Sequence, residues 1–273
     1  MKINTVLPDE MLGKILHFLN IDDFKNFSLV CKRWYSVSRT VNYPFSFAID
    51  DEVDGRKYQN CFQVLSDSFI KPKKLIIRNT DLNKFNVKDW KKFAKFCVDL
   101  RFKDCSIDDV HFIDIISYCS SLRCLSLNDT YYLQRDKHNE LCHADSNLAK
   151  IETFDLSCKR GFGLNDSVFV STVGKCKNLK RLNMAGCKVV FAKGVLRRYY
   201  DGDTDLLKFW ENPSNYKLTF FSVYHFVKLI ASKLAEINLS STDILPESYD
   251  QLKKCFNLKN IIVQNCKELN TNK

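Results

Sequence analysis

The 273 residues include 12 cysteines but no Cys-x-x-Cys pair, and nowhere do about 18 apolar residues run together. Nor is there a block of about five or six consecutive lysines and arginines. The first absence leaves no spacing that argues for a disulfide or zinc framework. The second leaves no segment able to span a bilayer as a helix, so no membrane partner is expected. The opening decapeptide, MKINTVLPDE, also lacks an apolar stretch behind its single lysine. Together these features predict a chain in the cytoplasm or nucleus, with its cysteines reduced. The net charge of +10 permits nucleic acid or an acidic protein as partner, but its even spread selects neither.

A catalytic constellation is also missing. No nucleophile sits with a base, and Asp108-Asp109 read as a helix start, where carboxylates suit the positive end of the dipole. His138, Cys142 and His143 in HNELCH supply at most three metal ligands with no second pair at zinc spacing, so no metal or other cofactor is predicted. Gly161-Phe162-Gly163 lacks the strand-to-helix setting of a phosphate loop and reads as a turn. The chain is expected not to be an enzyme. At 45% hydrophobic and 27% charged it should still fold, into one or two domains.

Residues 7 to 39 are dense in apolar side chains. Leu12, Ile15, Leu16 and Leu19 fall at i, i+3, i+4 and i+7, one stripe of a helix over about residues 8 to 19. Pro8 suits its first turn, with Asp9 and Glu10 behind it. Asp22 is placed to cap a second short helix carrying Phe24 and Phe27, and a third spans roughly 32 to 39 with Trp34 and Val37. Three helices in about 40 residues rarely bury enough surface to stand alone. Their apolar face must be covered by the rest of the chain or by another protein.

Leu7-Pro8, Glu10, Leu12, Ile15-Leu16, Leu19, Leu29-Val30-Cys31, Arg33 and Trp34 resemble the F-box pattern in order and spacing. The resemblance implies docking on a Skp-family adaptor, and through it on a cullin and RING subunit of an SCF ubiquitin ligase. It implies that Leu7, Pro8, Leu12, Ile15, Leu16, Leu19, Leu29, Val30, Cys31 and Trp34 face the adaptor or form the motif's core. A helical cap on the following domain is the competing reading.

From residue 45 onward an apolar-x-apolar phrase recurs, centred on Leu75, Leu100, Leu125, Phe154, Leu182, Leu207, Ile237 and Ile261. Intervals of 24 to 30 residues signal a solenoid. Each phrase is a strand with one buried face, and parallel pairing of successive strands requires crossovers, here helices over 87 to 97, 107 to 119, 165 to 176 and 221 to 232. The phrase resembles leucine-rich repeats of the cysteine-containing kind. The fold class expected is α/β: a three-helix F-box at 1–40, a linker with a degenerate first repeat (FSFAID, Phe45 to Asp50) over 41–70, and about eight repeats over 71–273. The solenoid should be right-handed, its parallel strands concave and helices convex.

The polar or sulfur-bearing residue after each strand, Thr80, Cys105, Thr130, Cys187, Asn212, Thr242 or Cys266, should turn inward and bond backbone amides lacking a strand partner. Little chain follows the last strand, which leaves its cover open. Arg78, Arg101, Lys103, Asn128, Asp155 and Asn183 are candidates to line a substrate face. The three cations are expected to act together on an acidic or phosphorylated segment, unless they form no more than a solvated basic face. Trp210 is an aromatic anchor or core. Three readings follow: a substrate receptor of an SCF-type ligase, a basic repeat scaffold or nucleic-acid binder, and an enzyme, with no motif favouring the last two.

Overall fold

In the computed structural model, residues 7–16, 18, 21–40, 46–50, 72–133, 144–159, 164–191 and 217–270 are described. The chain begins with three helices: α1 (Asp9–Leu16), α2 (Ile21–Val30) and α3 (Lys32–Thr40). Pro8 opens α1, its carbonyl accepting from the amides of Met11 and Leu12 at 3.1 Å. The amide of Phe18 donates to the Ile15 carbonyl at 3.0 Å, a tight turn near the end of α1. α2 starts at Ile21, so Asp22 lies in its first turn. Leu12, Leu16, Phe27 and Val37 are buried together, and the Phe27 and Trp34 rings lie 4.2 Å apart. Arg33 ties α3 to the start of α1, its Nε donating to Asp9 at 2.8 Å and its terminal nitrogen to the Leu7 carbonyl.

Behind the helices stands one sheet of eight parallel strands: β1 (Ser46–Asp50), β2 (Lys74–Arg78), β3 (Asp99–Lys103), β5 (Cys124–Asn128), β7 (Thr153–Asp155), β8 (Arg181–Asn183), β11 (Glu236–Asn238) and β12 (Asn260–Ile262), in that order. Alternate residues, Leu75, Ile77, Leu100, Phe102, Leu125, Phe154, Leu182 and Ile237, are fully buried. Crossover helices cover that face: α4 (Val87–Phe93), α5 (Asp109–Tyr118), α6 (Asp145–Leu148), α7 (Asp166–Ser171), α8 (Phe220–His225) and α9 (Pro246–Lys253), with α10 (Lys267–Asn270) after β12. Asn86, Asp108, Asn165 and Thr219 cap α4, α5, α7 and α8 by accepting from amides two or three residues on. At their C-terminal ends a second series of asparagines works between units. Asn147 donates to the carbonyls of Ile116 and Ser117, Asn178 to Ala149, and Asn257 to Val227 and Ala231. Carbonyls orphaned by one helix are thereby satisfied by the next unit.

The sheet has eight strands, but not the eight expected. FSFAID supplies β1, with Ser46 opposite Lys74. Between β8 and β11 the interval is 55 residues, because Leu182 pairs directly with Ile237 and no strand is inserted between these two. The extra length enters and leaves at a neck where β9 (Val189–Val190) pairs with β10 (Leu218–Thr219). Leu207, Lys208, Trp210 and Asn212 lie outside the described residues.

Six of the units, those of β2, β3, β5, β8, β11 and β12, turn after the strand through a residue of positive φ: Asn79, Asp104, Asp129, Gly186, Ser241 and Asn265. Amides of these residues donate to the following unit, as Asn79 does to the Lys103 carbonyl (3.0 Å) and Gly186 to that of Ser240 (2.8 Å). The inward Thr or Cys comes next. It does not bond amides as the sequence reading expected. It donates to carbonyls: Cys105 Sγ to Ile77, Cys187 Sγ to Leu156 and Cys266 Sγ to Leu239, at 3.4, 3.1 and 3.3 Å. A thiol is a weak donor, and a buried carbonyl is what it meets here. Burial pushes the Cys105 thiol up to about 11 and that of Cys187 to about 12, so both stay protonated and able to donate.

Candidate docking surfaces

The helical trio buries one side and bares the other. Of the ten large apolar residues exposed among those described, six belong to it: Met11, Ile15, Phe18, Leu29, Val30 and Tyr35. Phe18 is 88% and Leu29 81% exposed. Six bared apolar side chains on so small a unit mark it as an interaction surface. None of its four buried residues belongs to the core cluster of the sheet.

The second surface is the sheet face that helices leave open. Its middle row is Ala48, Ile76, Arg101, Ser126, Asp155, Asn183, Asn238 and Ile262 in register, and the row beyond it begins Asp50, Arg78, Lys103, Asn128. Arg78 and Lys103 are therefore direct cross-strand neighbours, both exposed, and neither makes an ion pair among the described residues. Arg101 does not join them. Its guanidinium grips Asp99 on its own strand through two bonds of 2.9 and 2.8 Å, because residues two apart share a strand face. The Asp99 bond further favours the charged guanidinium.

The polar candidates are partly spent on the fold. Asn128 Nδ2 donates to Ser157 Oγ at 2.7 Å and to its carbonyl at 3.0 Å, while Asp155 and Asn183 accept from the amides of Ser157 and Ala185 two residues on. Asn128 and Asn183 nevertheless line one open groove of about 940 Å³ at the strand ends, walled by Lys159, Lys188 and Asp243. Its lining includes the small residues Ser157, Ala185 and Gly186. Sequence reasoning missed this groove, although the run of small residues at equivalent positions signalled it.

Against known families, residues 5–46 match the F-box domain. Those residues are an F-box. Behind it the chain carries a parallel sheet of repeated strand-and-helix units. F-box domains are docking modules for Skp-family adaptors. Among solved structures, the leucine-rich repeat-containing protein LegL7 of Legionella pneumophila aligns over 88% of this chain and 86% of its own, at 11% identity and a TM-score of 0.37. An internalin (inlF) of Listeria monocytogenes aligns over 94% and 88%, at 10% identity and a TM-score of 0.34. No curated protein matches the sequence.

The F-box positions named from the sequence divide by burial. Leu12 and Leu16, at 1% and 0% exposure, hold the trio together and present nothing to an adaptor. Pro8, Ile15, Leu29 and Val30 are exposed, and Leu7, Cys31 and Trp34 are half-buried. Leu19 lies outside the described residues. Met11, Phe18 and Tyr35 join the exposed set, unannounced by the motif. His138, Cys142 and His143 and the Gly161-Phe162-Gly163 turn also lie outside the described residues. Among those described, no cluster of three or more His, Cys, Asp or Glu could hold a metal, and no helix is long and apolar enough to cross a membrane.

Proposed function

We propose that this chain is the substrate receptor of an SCF-type ubiquitin ligase, working in the cytoplasm or nucleus. The observation that carries the reading is the F-box at residues 5–46, with its apolar face bare at Ile15, Phe18, Leu29 and Val30. A Skp-family adaptor covers that face and links the chain to cullin and RING subunits. The open sheet face then holds the substrate protein near the charged ubiquitin carrier, so that the chain contributes effective concentration and leaves covalent chemistry to other subunits. Arg78 and Lys103, side by side and exposed, are the pair that receives an acidic or phosphorylated stretch of substrate.

One co-purification experiment tests both surfaces. Leu29→Asp with Phe18→Ala is expected to abolish recovery of the adaptor and to leave the sheet's thermal transition in place. Arg78→Glu with Lys103→Glu should keep the adaptor and lose the substrate proteins, whereas Arg101→Ala should matter less. Adaptor recovery unaffected by the first variant, or salt-sensitive retention on nucleic acid without any adaptor, would sink the proposal.

A further inference from the structure

The helix-covered side carries an apolar concavity that neither surface above explains. Phe256, in the bend after α9, is fully exposed, and Leu229, in the π-helical turn Phe226–Ile230 that continues α8, is 57% exposed. They line one open groove of about 800 Å³ together with Tyr224, Lys228, Lys254 and Asn257. An isolated exposed leucine is ordinary, but a bare phenylalanine beside a second bare apolar residue in a hollow is a recognition feature. The neighbourhood is held in place without Phe256: Asn257 Nδ2 bonds the carbonyls of Val227 and Ala231 at 3.3 and 2.8 Å. A wide π turn of this kind recurs at functional positions.

Charge selects the occupant. The described lining residues include two lysines and no carboxylate, on a chain of net charge +10. A second copy presenting the same cationic surface would be repelled, whereas a carboxylate-bearing segment would be drawn in. We propose that this groove docks a short acidic segment of another protein, its aromatic or aliphatic anchor against Phe256 and Leu229 and its carboxylates facing Lys228 and Lys254. Docking here would leave the open sheet face unoccupied, so the site is independent of the substrate reading.

The test is selection of a randomised phage-displayed peptide library on the full-length chain, followed by affinity measurement with the synthetic consensus peptide. The expected consensus pairs one large apolar residue with flanking Asp or Glu. Its binding should weaken at least about tenfold in Phe256→Ala, as for an interface anchor, and fall with added salt. Lys228→Glu with Lys254→Glu, both at exposed positions, should shift selection toward basic peptides while the melting temperature holds. Absence of a consensus, a consensus without acidic residues, binding indifferent to both variants, or loss of single-stranded oligonucleotide binding as their sole effect would each overturn the proposal.

Discussion

At the residue scale, the fold turns on single backbone conformations repeated in six of the units. Asn, Asp and Ser tolerate positive φ because their short polar side chains bond locally, but Gly186 is different in kind. Its φ is +73°, and a Cβ there would collide with the carbonyl oxygen of Cys158. The β7 unit, whose Cys158 occupies the equivalent position, has no positive-φ residue there. Gly186→Ala is expected to destabilise the chain by more than about 2 kcal/mol in urea denaturation, combining strain with overpacking. Gly186→Asn, which suits the backbone but not the space, should fare no better. The Asp99–Arg101 pair teaches the complementary lesson. Its two-residue spacing was visible in the sequence, and a cation with a carboxylate beside it on the same strand face is a poor candidate for capturing a partner's anion.

At the element scale, Asp166 fastens the neck of the long unit. It is fully buried at the start of α7, its amide donates to the Lys217 carbonyl at 3.0 Å, and its Oδ1 accepts from the amide and hydroxyl of Thr219 at 2.8 and 3.1 Å. Burial raises its carboxyl above the ordinary 3.8. The folded chain therefore holds a proton that the unfolded chain has lost, and this group's contribution to stability falls as pH rises from about 4 through the native pKa. Asp166→Asn keeps the acceptor and removes the charge. It should melt above the parent at pH 7, with the gap closing below about pH 4. Asp166→Ala strands two donors and should cost about 1 to 3 kcal/mol at either pH.

Most elements could be read from periodicity, because Leu75, Leu100, Leu125, Phe154, Leu182, Ile237 and Ile261 alternate with polar neighbours and each is followed by a turn residue. Leu207 imitates that rhythm, but local pattern cannot report that Leu182 already pairs with Ile237. α9 went unread for the opposite reason. PESYDQLK is almost wholly polar and buries only Ser248 and Leu252, although Pro246 at its first turn marked a start. On the F-box, spacing located the stripe but not its direction. Leu12 and Leu16 face inward and Ile15 outward because α2 and α3 supply Phe27 and Val37, partners that no single-helix pattern contains.

At the scale of the whole molecule there are two cores of very different size. The sheet's runs unbroken from Ile49 to Cys266, whereas the F-box encloses Leu12, Leu16, Phe27 and Val37 apart from it. A three-helix unit of about 40 residues buries little apolar surface, so the F-box should open on its own while the repeats stay closed. In hydrogen exchange of the isolated chain, amides of α1 to α3 are expected to exchange orders of magnitude faster than those of β3 and β5, and to gain protection when the adaptor is added. Equal protection in both regions without adaptor would show instead that the trio is stable alone.

The β9–β10 neck separates architecture from ornament. Since the ladder closes between Leu182 and Ile237 in the same register as elsewhere, the chain held between the two short strands can lengthen, shrink or change its chemistry without altering how the units stack. A change of length or chemistry confined to that span would therefore leave the staircase on either side of it as it is.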